Sequence, residues 1–125
     1  MRVRNLTSKK TLCRDAEVAA SIWKKTIGLM FRKSLPKGSG LLMDFSEGPG
    51  MHSIWMPFMR FPIDVVFMNS ELKVTDVFEN VPPLSLNPRT WRVCAPSAPA
   101  AWVLEIPAGL SSESVTSVGD HIVFG

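Results

Sequence analysis

The sequence predicts a mainly β protein: a compact antiparallel barrel or sandwich of about seven to nine short strands, with one or two short helices. Short apolar runs recur along the chain, and several alternate with polar residues, as is typical of half-buried strands. Turn-forming residues separate these runs about every ten residues, and the chain contains 10 prolines and 8 glycines. Only one segment has clear helical spacing. Because 125 residues is the usual size of one domain, we expect a single domain over 1–125.

The first elements along the chain are predicted to be a hairpin and a helix. Residues 2–6 and 10–18 are separated by a short polar segment, and the alternation in the second run favours an edge or surface hairpin with Lys9 and Lys10 at its exposed turn. From Ser21, which fits an N-cap, side chains recur at spacings of three and four residues, so a short amphipathic helix is expected. The residues at this spacing are Ile22, Trp23, Thr26, Ile27 and Met30.

The remaining strands are arranged around a central apolar stretch, residues 50–69. Pro57 and Pro62 interrupt it, and because proline donates no backbone hydrogen bond, we expect two strands with a bend between them. Residues 81–88 should be irregular for the same reason, and 108–117 should contain a helical turn. The predicted strands cover 41–45, 51–59, 63–69, 72–81, 89–95, 100–106 and 121–124.

Composition and charge favour an ordinary globular protein in a reducing compartment. The two cysteines, Cys13 and Cys94, stand alone, which favours free thiols. No apolar run is long enough to span a membrane, and the first residues lack the apolar centre of a secretion signal, so we expect a cytoplasmic protein. The net charge is +3, and the basic excess in the first third is dispersed, as on a solvated face. Without stacking aromatics or a recognised motif, nucleic acid is not expected as a partner.

Asp64 and Glu105 are the residues of greatest chemical interest. Asp64 lies in the most apolar predicted strand, so if it points inward it must accept hydrogen bonds or pair with a cation. The simpler interpretation is structural: Asp64 accepts backbone amides at the bend around 61–62. Alternation places Glu105 on the face opposite Trp102, where it is most simply an outward charge on a one-sided sheet. If the two carboxylates shared a cavity, they could support acid/base catalysis or bind a hard cation.

No metal or cofactor is expected. His52, His121 and the two cysteines are scattered singly, whereas a zinc site requires three or four ligands at characteristic spacing. The sequence also lacks a nucleophile elbow, a Walker loop and a dinucleotide fingerprint. It is rich in methionine (7) and tryptophan (4), and such side chains either fill a core or line a surface for apolar ligands and peptides.

Several short motifs, taken in order, resemble the domain of unknown function 192, a family of small bacterial and archaeal proteins. The resemblance covers about residues 10–124 and implies a compact β domain with a short helix, but no established activity. Because many relatives carry an export leader, the resemblance leaves export open as the alternative to a cytoplasmic location. Relatives often have Asn-Thr after the Trp-Met pair, where this chain has residues 57–60, so the resemblance implies a more apolar pocket here. The matching positions are Gly28, Met30, Arg32, Trp55, Met56, Asp64, Glu105, Gly109 and Asp120.

The prediction for function is a non-catalytic binding module that takes a small apolar ligand in a cleft lined by tryptophan and methionine, with a carboxylate anchor. One alternative is a hydrolase- or isomerase-like enzyme that uses Asp64 and Glu105. The other is a module that binds a protein through an exposed methionine and tryptophan patch. The predicted ligand-binding residues are Met30, Arg32, Trp55, Met56, Asp64 and Glu105.

Overall fold

The computed structural model describes residues 1–19, 34–52, 54–55, 61–82 and 93–125. The helix predicted from Ser21 to Met30 lies outside these residues, as do parts of the strands predicted at 51–59 and 89–95. The described part is mainly β, as predicted, with one short helix. Its elements are β1 (Val3–Asn5), β2 (Lys10–Cys13), β3 (Asp15–Ala19), β4 (Ser39–Asp44), β5 (Ile54–Trp55), β6 (Ile63–Met68), β7 (Val74–Val81), β8 (Val93–Cys94), β9 (Trp102–Pro107), α1 (Leu110–Glu113) and β10 (Ile122–Phe124).

A five-stranded sheet forms the centre of the structure, in the order β3-β4-β9-β6-β7. Every residue of β6 is buried, because this strand has neighbours on both sides and side chains packed on both faces. A strand in that position is expected to be apolar throughout rather than alternating. The predicted runs at 41–45, 63–69, 72–81, 100–106 and 121–124 are confirmed as β4, β6, β7, β9 and β10.

The N-terminal hairpin is confirmed, but it is shorter than predicted. β1 pairs antiparallel with β2, and Lys9 lies in the turn with a φ of 59°. The run 10–18 does not continue as one strand, because β3 leaves the hairpin and pairs in parallel with β4. The central sheet is therefore mainly antiparallel, as predicted, and β3-β4 is the one parallel pair among its described strands. A parallel pair requires a long crossover connection, and alternation within a strand does not reveal it.

The two faces of the central sheet carry separate apolar clusters. We call one the Glu105 face; its cluster includes Leu41, Val65, Phe67 and Val103. We call the other the Asp64 face; its cluster includes residues from the N-terminal hairpin and from α1. The remaining strands form a three-stranded sheet, β10-β1-β2, and a two-stranded ribbon, β5-β8. In the described ranges the edge strands β3 and β7 do not pair, so the arrangement resembles a sandwich rather than a closed barrel.

Candidate functional site

Asp64 is fully buried, and four donors surround its carboxylate. Oδ1 accepts the backbone amide of Asn80 at 2.8 Å. Oδ2 accepts the amides of Gly109 and Ser111 at 3.1 and 3.0 Å. The Ser111 hydroxyl donates to the same oxygen at 2.6 Å. Since a carboxylate offers about four acceptor positions, this one is fully engaged by the protein itself.

The donors come from the end of β7 and from the start of α1. Gly109 precedes α1 with a φ of 96°, a conformation that glycine adopts at little cost. The first amides of a helix have no intrahelical acceptor, and Asp64 accepts the Ser111 amide there. The prediction that Asp64 accepts backbone amides is confirmed, but the donors lie far from the bend at 61–62. Asp64 thus fixes the end of β7 and α1 to β6.

Glu105 lies on the opposite face of the sheet from Asp64. In the pairing register it faces Leu41 on β4 and Val65 on β6, and both belong to the Glu105-face cluster. Asp64 instead pairs with Ile106, which belongs to the Asp64-face cluster. Residues directly opposite in a ladder project to the same side, so the two carboxylates project to opposite sides. They share no cavity and do not form an acid/base pair.

The expectation of an outward charge at Glu105 is wrong. Glu105 is only 4% exposed, because β9 is an inner strand with packed side chains on both faces. A buried carboxylate of this kind requires interaction partners, and Glu105 has at least one such partner. The Glu105 face is therefore an apolar surface with a buried carboxylate set into it.

The ribbon that contains Trp55 lies on the Glu105 side. The backbone of Trp55 pairs with Val93, and its neighbour in β5 pairs with Cys94. Cys94 is 1% exposed and belongs to the Glu105-face cluster. The structure therefore brings the Trp55 strand and Glu105 to one side of the sheet and leaves Asp64 on the other. The remaining predicted site residues, Met30, Arg32 and Met56, lie outside the described residues.

Partly buried apolar side chains surround the Glu105-face cluster. Leu35, Phe45, Phe61 and Phe78 pack against it while retaining some exposure. Phe45 also stacks on the His52 ring, with centroids 3.9 Å apart and planes 13° from parallel. This rim gives the face an apolar margin that is open to solvent in part.

The histidines and cysteines do not assemble into a metal site in the described ranges. His52 Nε2 donates to the Gly48 carbonyl at 2.9 Å, and no group of three or more potential ligands forms among the described residues. Neither Cys13 nor Cys94 forms a disulfide, and both are buried, in clusters on opposite faces of the sheet. Burial raises the pKa of the Cys13 thiol.

Sequence reasoning missed Ser111, which supplies two of the four donors to Asp64. Its position shortly after Gly109, at the start of a predicted helical turn, was the available signal. Serine is common where helices begin because its hydroxyl and free amide bind acceptors there.

None of the described helices is both long and apolar enough to cross a membrane.

Comparisons with known proteins agree with this fold. A UPF0127 protein of Pyrococcus furiosus is 31% identical over 118 residues, which are 94% of this chain and 93% of that protein. A UPF0127 protein of Pyrococcus horikoshii is 33% identical over 108 residues, or 86% and 85% of the two chains. The crystal structure of a protein of unknown function from Novosphingobium aromaticivorans matches with a TM-score of 0.86 and 25% identity, over 99% of this chain and 84% of that one.

These relatives carry no stated activity, and nothing in their descriptions indicates catalysis. A family model described as Uncharacterized ACR matches residues 3–124. On that match, the chain belongs to the DUF192 family, an uncharacterised family of unknown function.

Proposed function

We propose that this chain is a non-catalytic binding module for a small, largely apolar ligand, held at the Glu105 face. The observation that carries the proposal is Glu105 itself, a carboxylate with 4% exposure in an apolar face. Small-ligand pockets usually combine apolar walls with a few polar groups that orient the ligand. A ligand with an apolar body and a hydrogen-bond donor would match both parts.

The apolar walls of this site would be formed by the β5-β8 ribbon and by Met30 and Met56, two of the predicted ligand-binding residues. Trp55 belongs to the strand on the Glu105 side, and we propose that its ring, with Met30 and Met56, contacts the apolar body of the ligand. Arg32 would be a second polar anchor. Glu105 does not need to be unpaired in the free protein, because a carboxylate accepts several hydrogen bonds at once.

Asp64 would stabilise the site without touching the ligand. The Asp64 carboxylate lies on the other face of the sheet and already accepts four hydrogen bonds from the protein. Glu105 therefore replaces Asp64 as the proposed carboxylate anchor. Cys13 and Cys94 form no disulfide, which supports the cytoplasmic setting that we propose for this binding activity.

Thermal-shift titration with benzylammonium and hexylammonium ions, and with the alcohols of the same size, tests the proposal. A ligand at about 100 times its dissociation constant adds about 2.7 kcal/mol to the free energy of unfolding. We expect that gain to be lost in Glu105→Gln and in Trp55→Ala.

Glu79→Gln is the matched control, because Glu79 is exposed on β7 and the substitution makes the same chemical change. It should retain the full ligand response. Stabilisation that persists in Glu105→Gln, or a protein that no probe stabilises, would contradict the proposed site.

A further inference from the structure

A basic groove of about 240 Å³ lies between β2, the turn at 37–38 and α1. Its apolar walls include Leu12 and Leu110, which are 2% and 9% exposed. Both belong to the Asp64-face cluster, so the groove lies on the side of the central sheet away from Glu105. It is therefore separate from the ligand site proposed above.

The charged side chains that line the groove are mostly cationic. Lys10, Arg14 and Lys37 line it together with one carboxylate, Glu113, which leaves a net charge of +2 among its lining residues. The Lys37 ammonium lies 3.3 Å from the Glu113 carboxylate, but the two side chains are 73% and 59% exposed. Exposed ion pairs of this kind contribute little to stability, so Lys37 can leave Glu113 and bind another anion at little cost in free energy.

The Arg14 side chain lies over the backbone of Gly38 at the groove. A Cβ atom on Gly38 would lie 3.2 Å from Arg14 Nε and 3.3 Å from one terminal nitrogen, so the guanidinium rests directly on this glycine. The Gly38 carbonyl also accepts the backbone amides of Arg14 and Asp15, both at 2.9 Å. The conformation of Gly38, with a φ of 92°, favours glycine. Gly38 thus allows the guanidinium to lie close to the backbone at the groove.

We propose that this groove binds a small phosphate monoester with an apolar substituent. A phosphate monoester carries a charge of about −1.5 to −2 at pH 7, which complements the net charge of the lining residues. The planar guanidinium of Arg14 suits two parallel hydrogen bonds to phosphate oxygens, with Lys10 and Lys37 as additional charges. The substituent would lie against the exposed part of Leu110 and the aliphatic stems of Lys10 and Lys37. A phosphodiester, with one charge on each phosphate, matches this compact arrangement less well.

Calorimetric titration at low salt with phenyl phosphate tests the proposal, with phenyl sulfate as the monoanion of similar shape. We expect one site per chain, tighter binding of phenyl phosphate than of phenyl sulfate or inorganic phosphate, and weaker binding as salt rises. Arg14→Gln should weaken binding by about tenfold or more, because it removes a charge-assisted contact. Glu113→Gln should tighten binding by about threefold, because it removes a negative charge and releases Lys37.

Lys9→Gln is the control, because it makes the same change in net charge one residue from Lys10 and Lys9 does not line the groove. It should leave the affinity unchanged. The proposal is overturned if phenyl phosphate does not bind, or if Lys9→Gln weakens binding as much as Arg14→Gln. It is overturned equally if a single-stranded oligonucleotide binds through the same residues more tightly than phenyl phosphate, which would indicate a nucleic-acid surface.

Discussion

Replacing Asp64 with asparagine should destabilise the fold without affecting the chemistry of a ligand site. Three of the four donors converge on Oδ2, and the Asn80 amide alone reaches Oδ1. In Asp64→Asn, the side-chain carbonyl would therefore stay at the Oδ2 position. The new NH2 group would then face the Asn80 amide, donor against donor.

The cost follows from these contacts. The Asn80 amide loses its acceptor, which costs about 1 kcal/mol or more. The three donors at Oδ2 keep an acceptor but lose its charge, and charged acceptors are worth more than neutral ones by about 1 kcal/mol for each hydrogen bond. Allowing for relaxation, we expect Asp64→Asn to lower the free energy of unfolding by about 2–4 kcal/mol, a large part of the 5–15 kcal/mol that is typical of a domain.

Urea unfolding followed by circular dichroism would measure this loss, with Ser111→Ala as the matched comparison. Ser111→Ala removes one donor at 2.6 Å and leaves the carboxylate charged, so we expect a smaller loss of about 1–2 kcal/mol. The two substitutions share a contact, so their effects should not add in the double variant. If Asp64→Asn changed the free energy of unfolding by less than about 0.5 kcal/mol, the architectural role of Asp64 would be refuted.

Three further predictions concern the backbone and the buried thiol. Val115 has a φ of 53° and is 62% exposed, so Val115→Asn should stabilise the fold by about 1 kcal/mol in the same assay. At Gly40 a Cβ atom would lie 2.9 Å from the Glu105 carbonyl oxygen, so Gly40→Ala should destabilise by about 1–3 kcal/mol. Burial raises the Cys13 pKa above its usual 9.0, so the stabilisation from the neutral thiol is complete below pH 9.0 and declines as the pH rises through the raised pKa. Unfolding measured between pH 8 and 10.5 should therefore depend less steeply on pH in Cys13→Ser.

Each of these has a clear contrary result. A Val115→Asn protein less stable than the native one would mean that the side chain contributes contacts that outweigh backbone strain. Gly48→Ala controls for Gly40→Ala, because a Cβ atom at Gly48 meets nothing within 4 Å, and equal losses at both positions would contradict the close-approach argument. Identical pH profiles for Cys13→Ser and the native chain would show that the Cys13 thiol does not titrate differently on unfolding.

Local patterns in the sequence predicted where strands form, and which residues share a face within a strand. The alternation in 100–106 correctly placed Trp102 and Glu105 on different faces of β9. It could not show that both faces are covered, because that depends on the ribbon β5-β8 and on the other strands that pack there. The parallel pairing of β3 with β4 was also invisible, because strands in parallel and antiparallel pairs alternate in the same way.

For Asp64, the neighbouring residues in the sequence predict its burial, but only the tertiary structure identifies its hydrogen-bond donors. The apolar neighbours of Asp64 predicted that it would be buried and hydrogen-bonded. Its donors on Asn80 and Ser111 lie 16 and 47 residues further along the chain, and only the sheet register brings them together. The dispersed basic residues of the first third predict a solvated face, because their spacing in sequence does not show that Lys10, Arg14 and Lys37 meet at one groove.

Carboxyl carbon NMR of protein labelled with 13C in its aspartate and glutamate side chains tests the different roles of the two buried carboxylates most directly. The Glu105 and Asp64 resonances would be assigned by their loss in Glu105→Gln and Asp64→Asn, and then followed during titration with a stabilising ligand such as benzylammonium. We predict that the Glu105 resonance shifts in proportion to the bound fraction while the Asp64 resonance stays in place. A shift at Asp64 with none at Glu105 would contradict the proposed site.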